Sequence, residues 1–412
     1  MTDAEIADLM WSSAALGVAF FAFCAVLARR IRTGGPALYL DAVAVFLAVQ
    51  VTDMADDLVF GPPIHAPLWA YGWQDALLPL FMISLWFFVR GLTEPALRLR
   101  PRDAWHLLPL GLGLVFLLPF LSLPGPERAG LYVDTDLGET RVLWAELGVL
   151  AFWVGWIGLL IGYGFACARR LTRHKRTIRA LFSDLSGKSL WWLDALVAMI
   201  LGLAWVVIAD EVLILAFDAG FLEGAAEGVH EILLGLIFGL FGIQAKPPLP
   251  DWSAEVVANE TAPAPPPPAT GDETGAGTGA PPGRYARSGL GPEDLTRLAA
   301  RLQTRMEASR LWEDPMLTLK TLSEATAIPP MHLSEVLNTE IGQSFFDYVN
   351  AHRIEAACSL LAESELGVLE ISEAVGYNSK STFNANFKRI TDKTPTEWRR
   401  ALRAMTRPAA RP

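Results

Sequence analysis

Cysteine is scarce in this 412-residue chain, which holds only Cys24, Cys167 and Cys358. They are scattered and stand in no metal-ligand spacing, so neither a disulfide scaffold nor a cysteine metal site is expected. Charge is sparse too, at 19% of residues, against about 25% in soluble globular proteins. No phosphate-binding glycine loop, kinase motif or nucleophile elbow occurs in the sequence. The chain therefore lacks the common signatures of nucleotide-dependent and hydrolytic enzymes, and no enzyme activity and no cofactor are expected. What it has in excess is apolar residues, 52% of the total with 14 Trp and 21 Phe, which excludes a disordered chain.

The apolar residues are concentrated in the first 245 positions. An apolar run of about 18 or more residues spans a bilayer as a helix, because about 20 residues at 1.5 Å each cross the hydrocarbon core. Seven such runs are present, at about 9–27, 37–58, 68–89, 103–123, 143–167, 189–215 and 221–244. Lys and Arg favour the cytoplasmic loops. The loops after the first, third and fifth runs hold 14 of them: Arg29, Arg30 and Arg32; Arg90, Arg98, Arg100 and Arg102; Arg169, Arg170, Arg173, Lys175, Arg176, Arg179 and Lys188. The opposite side holds Arg128 and Arg141. This asymmetry predicts a multi-pass protein of a bacterial inner membrane, its N-terminus outside and everything from residue 246 onward in the cytoplasm. The first ten residues carry Asp3, Glu5 and Asp8 and no basic residue, the reverse of a signal-peptide n-region, so an uncleaved first span is expected.

Residues 247–291 are rich in proline and glycine, including a nearly continuous proline tract at 263–268. Such a segment buries too little apolar surface to offset its chain entropy and is expected to be a disordered tether. The predicted organisation is thus a membrane domain at 1–246, a linker at 247–291 and a globular domain at 292–407.

The last domain reads as short amphipathic helices. Pro292 with Glu293 and Asp294 marks a helix start, followed by Leu295, Leu298, Leu302 and Met306 on one face. Leu319, Leu322 and Ala325 form the next helix, Ile328-Pro329-Pro330 breaks it, and Leu333, Val336 and Leu337 form a third. This is the helix-turn-helix layout. A long helix from about Ser344 to Ala362 follows, and the layout repeats around the Gly376-Tyr377-Asn378 turn, with Phe383, Phe387 and Ile390 inward. Thr394-Pro395-Thr396-Glu397 fits a capping box opening a last helix.

Two strings carry a more specific signal. The first runs through Leu317-Thr318-Leu319, Leu333 to Asn338, Gly342, Phe345, Tyr348, Asn350 and Arg353-Ile354. The second runs through Ile371, Ala374, Gly376-Tyr377, Ser379, Ser381, Phe383, Phe387-Lys388, Thr394-Pro395 and Trp398-Arg399. Over about 311–403 the chain resembles the DNA-binding domain of the AraC family of bacterial transcription regulators. The resemblance implies two helix-turn-helix units joined by the long helix, each placing a recognition helix in the major groove of double-stranded DNA. The chain departs from the family at Glu335 and Ala385, where arginine is usual. From Pro292 to Val375 there are 6 basic and 14 acidic residues, and from Gly376 onward 9 and 2. Phosphate neutralisation drives most nucleic-acid affinity, so the second unit is expected to supply it. The expected DNA-binding residues are His332, Ser334 and Asn338 in the first unit, and Ser379, Lys380, Thr382, Asn386, Lys388 and Arg389 in the second.

Acids are costly in a bilayer and mark interiors or wet cavities. Here they gather toward the outer ends of the runs: Asp53, Asp56 and Asp57 on one face, Asp75, Glu146, Asp210 with Glu211, and Glu223, Glu227, His230 and Glu231 on one stripe. They read either as markers of topology or as an electronegative pocket sensing a cation, a proton or a cationic ligand. The expected whole is an all-α protein, a seven-helix transmembrane bundle carrying a cytoplasmic DNA reader, acting as a one-component transcription regulator. Its expected partners are DNA and the lipid bilayer, with RNA polymerase and a second copy of the chain as further candidates. The alternative is a membrane enzyme or transporter-like bundle whose helix-turn-helix domain serves only localisation or protein binding.

Overall fold

A computed structural model describes residues 3–60, 72–94, 99–124, 139–185, 190–217, 225–247 and 290–406, with single positions between them. The side chains of 3–8, 56–60, 203–204, 207–208, 210–217, 225–230 and 404–406 lie outside the description. The described residues are all-helical, with no strand beyond one isolated bridge. They divide into two compact units, 1–173 with 190–249, and 174–189 with 250–412.

The first unit contains α1 (Asp3–Thr33), α2 (Leu38–Phe60), α3 (Pro79–Thr93), α4 (Leu108–Leu121), α5 (Glu139–Leu181), α6 (Trp191–Phe217) and α7 (Ala225–Gln244), with 3₁₀ turns ahead of α3 and α4. Five helical stretches are long and apolar enough to cross a membrane: Leu9–Thr33, Leu38–Ala55, Gln74–Thr93, Pro101–Leu121 and Thr140–Leu181. The shorter apolar stretches Trp191–Gly202 and Glu231–Gln244 fall in α6 and α7, on the sixth and seventh runs of the sequence. Helix α1 packs on α2 and α7, and α2 on α3. Small residues set the α1–α7 approach: a Cβ at Gly239 would lie 2.7 Å from the Cβ of Ala22, a contact of backbones that only small side chains permit. Phe46 stacks on Phe238 at 3.8 Å and meets Phe81 edge-on at 4.8 Å, filling the centre between α2, α3 and α7.

Polar ties lie at one end of this unit. Arg29, near the end of α1, donates to the carbonyls of Gly242, Ile243 and Ala245. A helix end leaves its last carbonyls without intrahelical donors, and a cation there also meets the negative end of the dipole. Arg30 pairs with Asp41 at the start of α2. Arg90, at the end of α3, reaches Asp103 ahead of α4 at 2.7 Å and Glu94 at 3.0 Å, and Arg170 of α5 reaches Glu94 at 2.8 Å and Thr93 at 2.7 Å. Trp192, opening α6, stacks on Phe241, near the end of α7, at 4.6 Å. Consecutive helices thus bring alternate ends together, and the arginines counted as loop charge are also the staples of that end.

The second unit contains α8 (Pro292–Ser309), α9 (Leu319–Thr326), α10 (Pro330–Glu335, continued by a π turn at Val336–Glu340), α11 (Phe345–Glu363), α12 (Val368–Ala374), α13 (Lys380–Thr391) and α14 (Pro395–Thr406). Its core is Leu302, Met306, Leu319, Leu322, Leu333, Phe345, Val349, Ile371, Phe383 and Phe387, all buried. The helix starts expected from sequence are built as capped ends. Gly291 N–H donates to Asp294 at 3.3 Å. Ser344 Oγ accepts from Asp347 N–H at 3.1 Å. Thr394 and Glu397 exchange bonds of 2.8 and 3.3 Å, and those bonds hold the Glu397 carboxyl below its ordinary value.

Candidate nucleic-acid interface

Each half of the second unit is a pair of helices around a tight turn. In the first, Thr318 and Thr321 cap α9 reciprocally at 3.1 and 2.9 Å. Ala327 turns the chain at φ +50°, and Pro330 opens α10. In the second, Gly376 turns the chain at φ +83°, and a Cβ there would lie 2.5 Å from the carbonyl oxygen of Glu313, so glycine is required on both counts. Ser379 Oγ then accepts from Thr382 N–H at 3.2 Å and caps α13.

A buried polar hub joins the halves. Arg353, on α11, is 1% exposed. It donates to the carbonyls of Trp312 at 2.8 Å and Asp314 at 2.7 Å, and its guanidinium lies 5.3 Å from the ring centre of Tyr377. Tyr377 donates to Asn350 Oδ1 at 2.6 Å. Burial pulls Arg353 below and pushes Tyr377 above their ordinary values. The hub fixes the Gly376 turn, and so the start of α13, against α11.

The expected DNA-facing residues divide sharply. On α13, Lys380, Lys388 and Arg389 are exposed. Arg389 is steadied by Asp347 at 3.0 Å. Ser379 and Thr382 are half-buried, with their hydroxyls 2.8 Å apart in the cap. Asn386 is a correction: it is buried, donates to the Thr382 carbonyl at 3.2 Å and accepts from Arg389 at 3.2 Å, so it supports the helix from inside. On α10, His332 is half-buried and Asn338 exposed. Asn338 donates to the Ser334 carbonyl at 2.8 Å. Ser334, expected among the base-reading groups, is buried. Leu333 to Leu337 are buried without interruption, so α10 is enclosed round its circumference rather than along one stripe. Glu335 belongs to that stretch, and its Oε2 has no hydrogen-bond partner among the described residues. The acid that departs from the family pattern therefore does not add charge to the exposed face. Arg399 donates to the Leu366 carbonyl at 2.6 Å, so it ties the domain together, while Arg400 is exposed.

A model of the helix-turn-helix domain matches residues 322–401. This C-terminal region is an AraC-family helix-turn-helix domain. Outside it, a regulator from Bacillus subtilis, the HTH-type transcriptional regulator YtdP, is 34% identical over 89 residues, 22% of this chain and 12% of that protein. YijO of Escherichia coli, also an HTH-type transcriptional regulator, is 32% identical over 120 residues, 28% of this chain and 42% of that one. The regulatory protein SoxS of Escherichia coli is 27% identical over 89 residues, 22% of this chain and 83% of its own length. Among solved structures, the C-terminal domain of AraT, a response regulator from Geobacillus stearothermophilus, is 30% identical and covers 27% of this chain and 88% of that one, with a TM-score of 0.23. The chain thus spans less than half the length of YtdP and YijO, and the matched part is the AraC-family domain.

The acids expected to sense a signal are placed unevenly. Asp53 lies on α2, half-buried. Glu231, on α7, accepts from Gln50 Nε2 at 2.9 Å, and Gln50, fully buried on α2, also donates to the Glu231 carbonyl at 2.8 Å. Sequence reasoning missed Gln50, though an uncharged polar residue inside an apolar run was its signal. Asp56, Asp57, Asp210, Glu211, Glu227 and His230 lie in α2, α6 and α7 with their side chains outside the description, and Glu223 lies outside the described residues. Among the described residues, no three His, Cys, Asp or Glu gather as a metal site.

Proposed function

We propose that the chain is a membrane-embedded one-component transcription regulator: a seven-helix bundle in a bacterial inner membrane, N-terminus outside, carrying a cytoplasmic AraC-family domain that binds double-stranded DNA. The observation that carries this reading is α13. Behind a capped turn it presents Lys380, Lys388 and Arg389 outward, on the half of the domain that holds 9 basic residues against 2 acidic ones. Such a helix positions itself by phosphate contacts and reads base edges with its remaining exposed face. The apolar helices and their alternate ends, stapled by arginines at one end only, support the bilayer and the inside position of that end. The outer acids, of which Glu231 is held between α2 and α7, are proposed as the input for a proton or a cation. The test is DNA binding by the full-length protein in lipid nanodiscs, with salt varied. Affinity should fall linearly on a log–log plot as salt rises, because bound cations are released from the duplex. No salt-dependent binding to any duplex, together with no occupancy on the genome, overturns the reading.

A further inference from the structure

The segment that follows α5 belongs to the second compact unit, with the AraC-family domain, although the sequence places it between two membrane helices. Phe182 forms an antiparallel bridge with Thr318, the residue that caps α9. Ser183 is 2% exposed; its N–H and its Oγ donate to the Leu317 carbonyl at 3.3 and 2.7 Å. Its Oγ also accepts from Arg353 at 3.4 Å, and its carbonyl accepts from Asn350 at 3.4 Å. Asp184 accepts from Asn378 at 2.9 Å. Three residues thus touch the entry to the first helix pair, the hub on α11 and the turn of the second pair. The segment also braces itself: Lys188 lies 4.9 Å from the Phe182 ring centre and donates to the Asp184 carbonyl at 3.2 Å.

We propose that residues 182–184 are a docking segment through which α5 holds the DNA reader in a weakly binding state, and that its release is the step that raises DNA affinity. This rests on the DNA-binding reading above. The polar contacts favour docking at this place, because Ser183 is buried with its N–H, hydroxyl and carbonyl all bonded, so the segment fits this surface group by group. The chemistry of Asp184 sets the sign. Its carboxylate is bonded one residue before Ser379, the cap of α13. Helix N-termini and their flanking amides are where DNA phosphates are held, and a docked carboxylate there opposes them by like charge. The α5 helix runs unbroken from Glu139 to Leu181, so a change in that helix reaches the docking segment without passing through residues 247–291. A bundle state can shift the reader only if it favours docked over undocked, and this segment is where that preference would act.

The test uses the full-length chain in nanodiscs with Cys24, Cys167 and Cys358 replaced by Ala and with F182C and T318C added. Paired residues of an antiparallel bridge lie within disulfide range. Mild oxidation should close an intramolecular bond much faster than in a control carrying Lys175→Cys with T318C. The oxidised protein should bind duplex DNA about tenfold more weakly than the same sample after reduction, within the usual range of allosteric coupling. Asp184→Asn, which keeps an oxygen for Asn378 and removes the charge, should bind DNA more tightly than the unsubstituted chain at low salt. Equal affinities in the oxidised and reduced forms, with no gain from Asp184→Asn, overturn the proposal. A cross-link no faster than the control, in a protein that binds DNA, overturns the docking alone. Failure of the reduced protein to bind any DNA overturns the DNA reading and this inference with it.

Discussion

The two units solve burial in opposite ways. The AraC-family domain keeps its aromatic residues inside, with Phe345, Phe383 and Phe387 at most 1% exposed, and turns its charges out. The first unit leaves Phe21 74%, Val115 57% and Phe165 62% exposed, while its Arg90 is only 6% exposed. In water, apolar side chains are driven inward. In lipid that force is absent between helices, and close packing and polar ties must hold them. The contrast teaches where each unit is vulnerable: the reader at its buried polar hub, the bundle at its arginine-stapled end.

The largest effect expected is at the hub. Arg353→Ala removes the donor to two carbonyls in the reader core, and each buried acceptor left unpaired costs about 1–3 kcal/mol. The second unit should lose roughly 3–5 kcal/mol and become sensitive to limited proteolysis, while the membrane helices stay protected. Equal protection of both units would break the comparison. Next comes the bundle. Arg90→Leu leaves Asp103 and Glu94 without their shared buried cation, a loss of about 3 kcal/mol by analogy with broken buried pairs. The thermal midpoint in detergent should drop, whereas Phe21→Leu on the outward face should leave it unchanged.

A smaller effect is expected on the exposed face of α13. Lys388→Ala should weaken DNA binding about five- to tenfold on every sequence alike and reduce the slope of the salt dependence by about 1. Circular dichroism should be unaltered. The smallest effect is pH dependence at His352, half-buried on α11. Burial holds it below its ordinary value of 6.5, with Glu355 and Glu307 opposing. The unfolded chain therefore takes up a proton that the folded chain resists. Stability from this group is complete above pH 6.5 and declines as pH falls through that value toward the folded one. Melting the second unit from pH 8 to 5.5 should show a decline that His352→Gln removes.

Much of this was legible in the sequence because it is local. The starts at Pro292, Ser344 and Pro395 are written in capping residues within four positions, and the Gly376 turn in one glycine. The apolar runs were legible by length. Contacts made across the fold were not. Ser334 and Asn386 carry polar side chains at positions that alternate with apolar ones, so their periodicity suggested exposure, and only the neighbouring elements bury them. Arg90 was read as loop charge because its partner Asp103 lies across a loop. The pairing of Ser183 with Leu317, and of Gln50 with Glu231, leaves no trace in spacing. The site's outward cations could be read from composition, but the groups that hold α13 in place could not.

The π turn at Val336–Glu340 has a consequence for how this domain tolerates change in length. Ile341 N–H reaches back five residues to the Val336 carbonyl at 3.0 Å, one more than an α-helix uses, so the turn is a helix that has absorbed a residue. Losing any one position there would restore the ordinary ladder and rotate α10 by about 100° relative to everything after it. Leu333 would swing out of the core and Ser334 out of its enclosure. A single-codon deletion at this spot should therefore be far more damaging than most substitutions within it, and natural variants of the domain should keep their length here even where their residues differ.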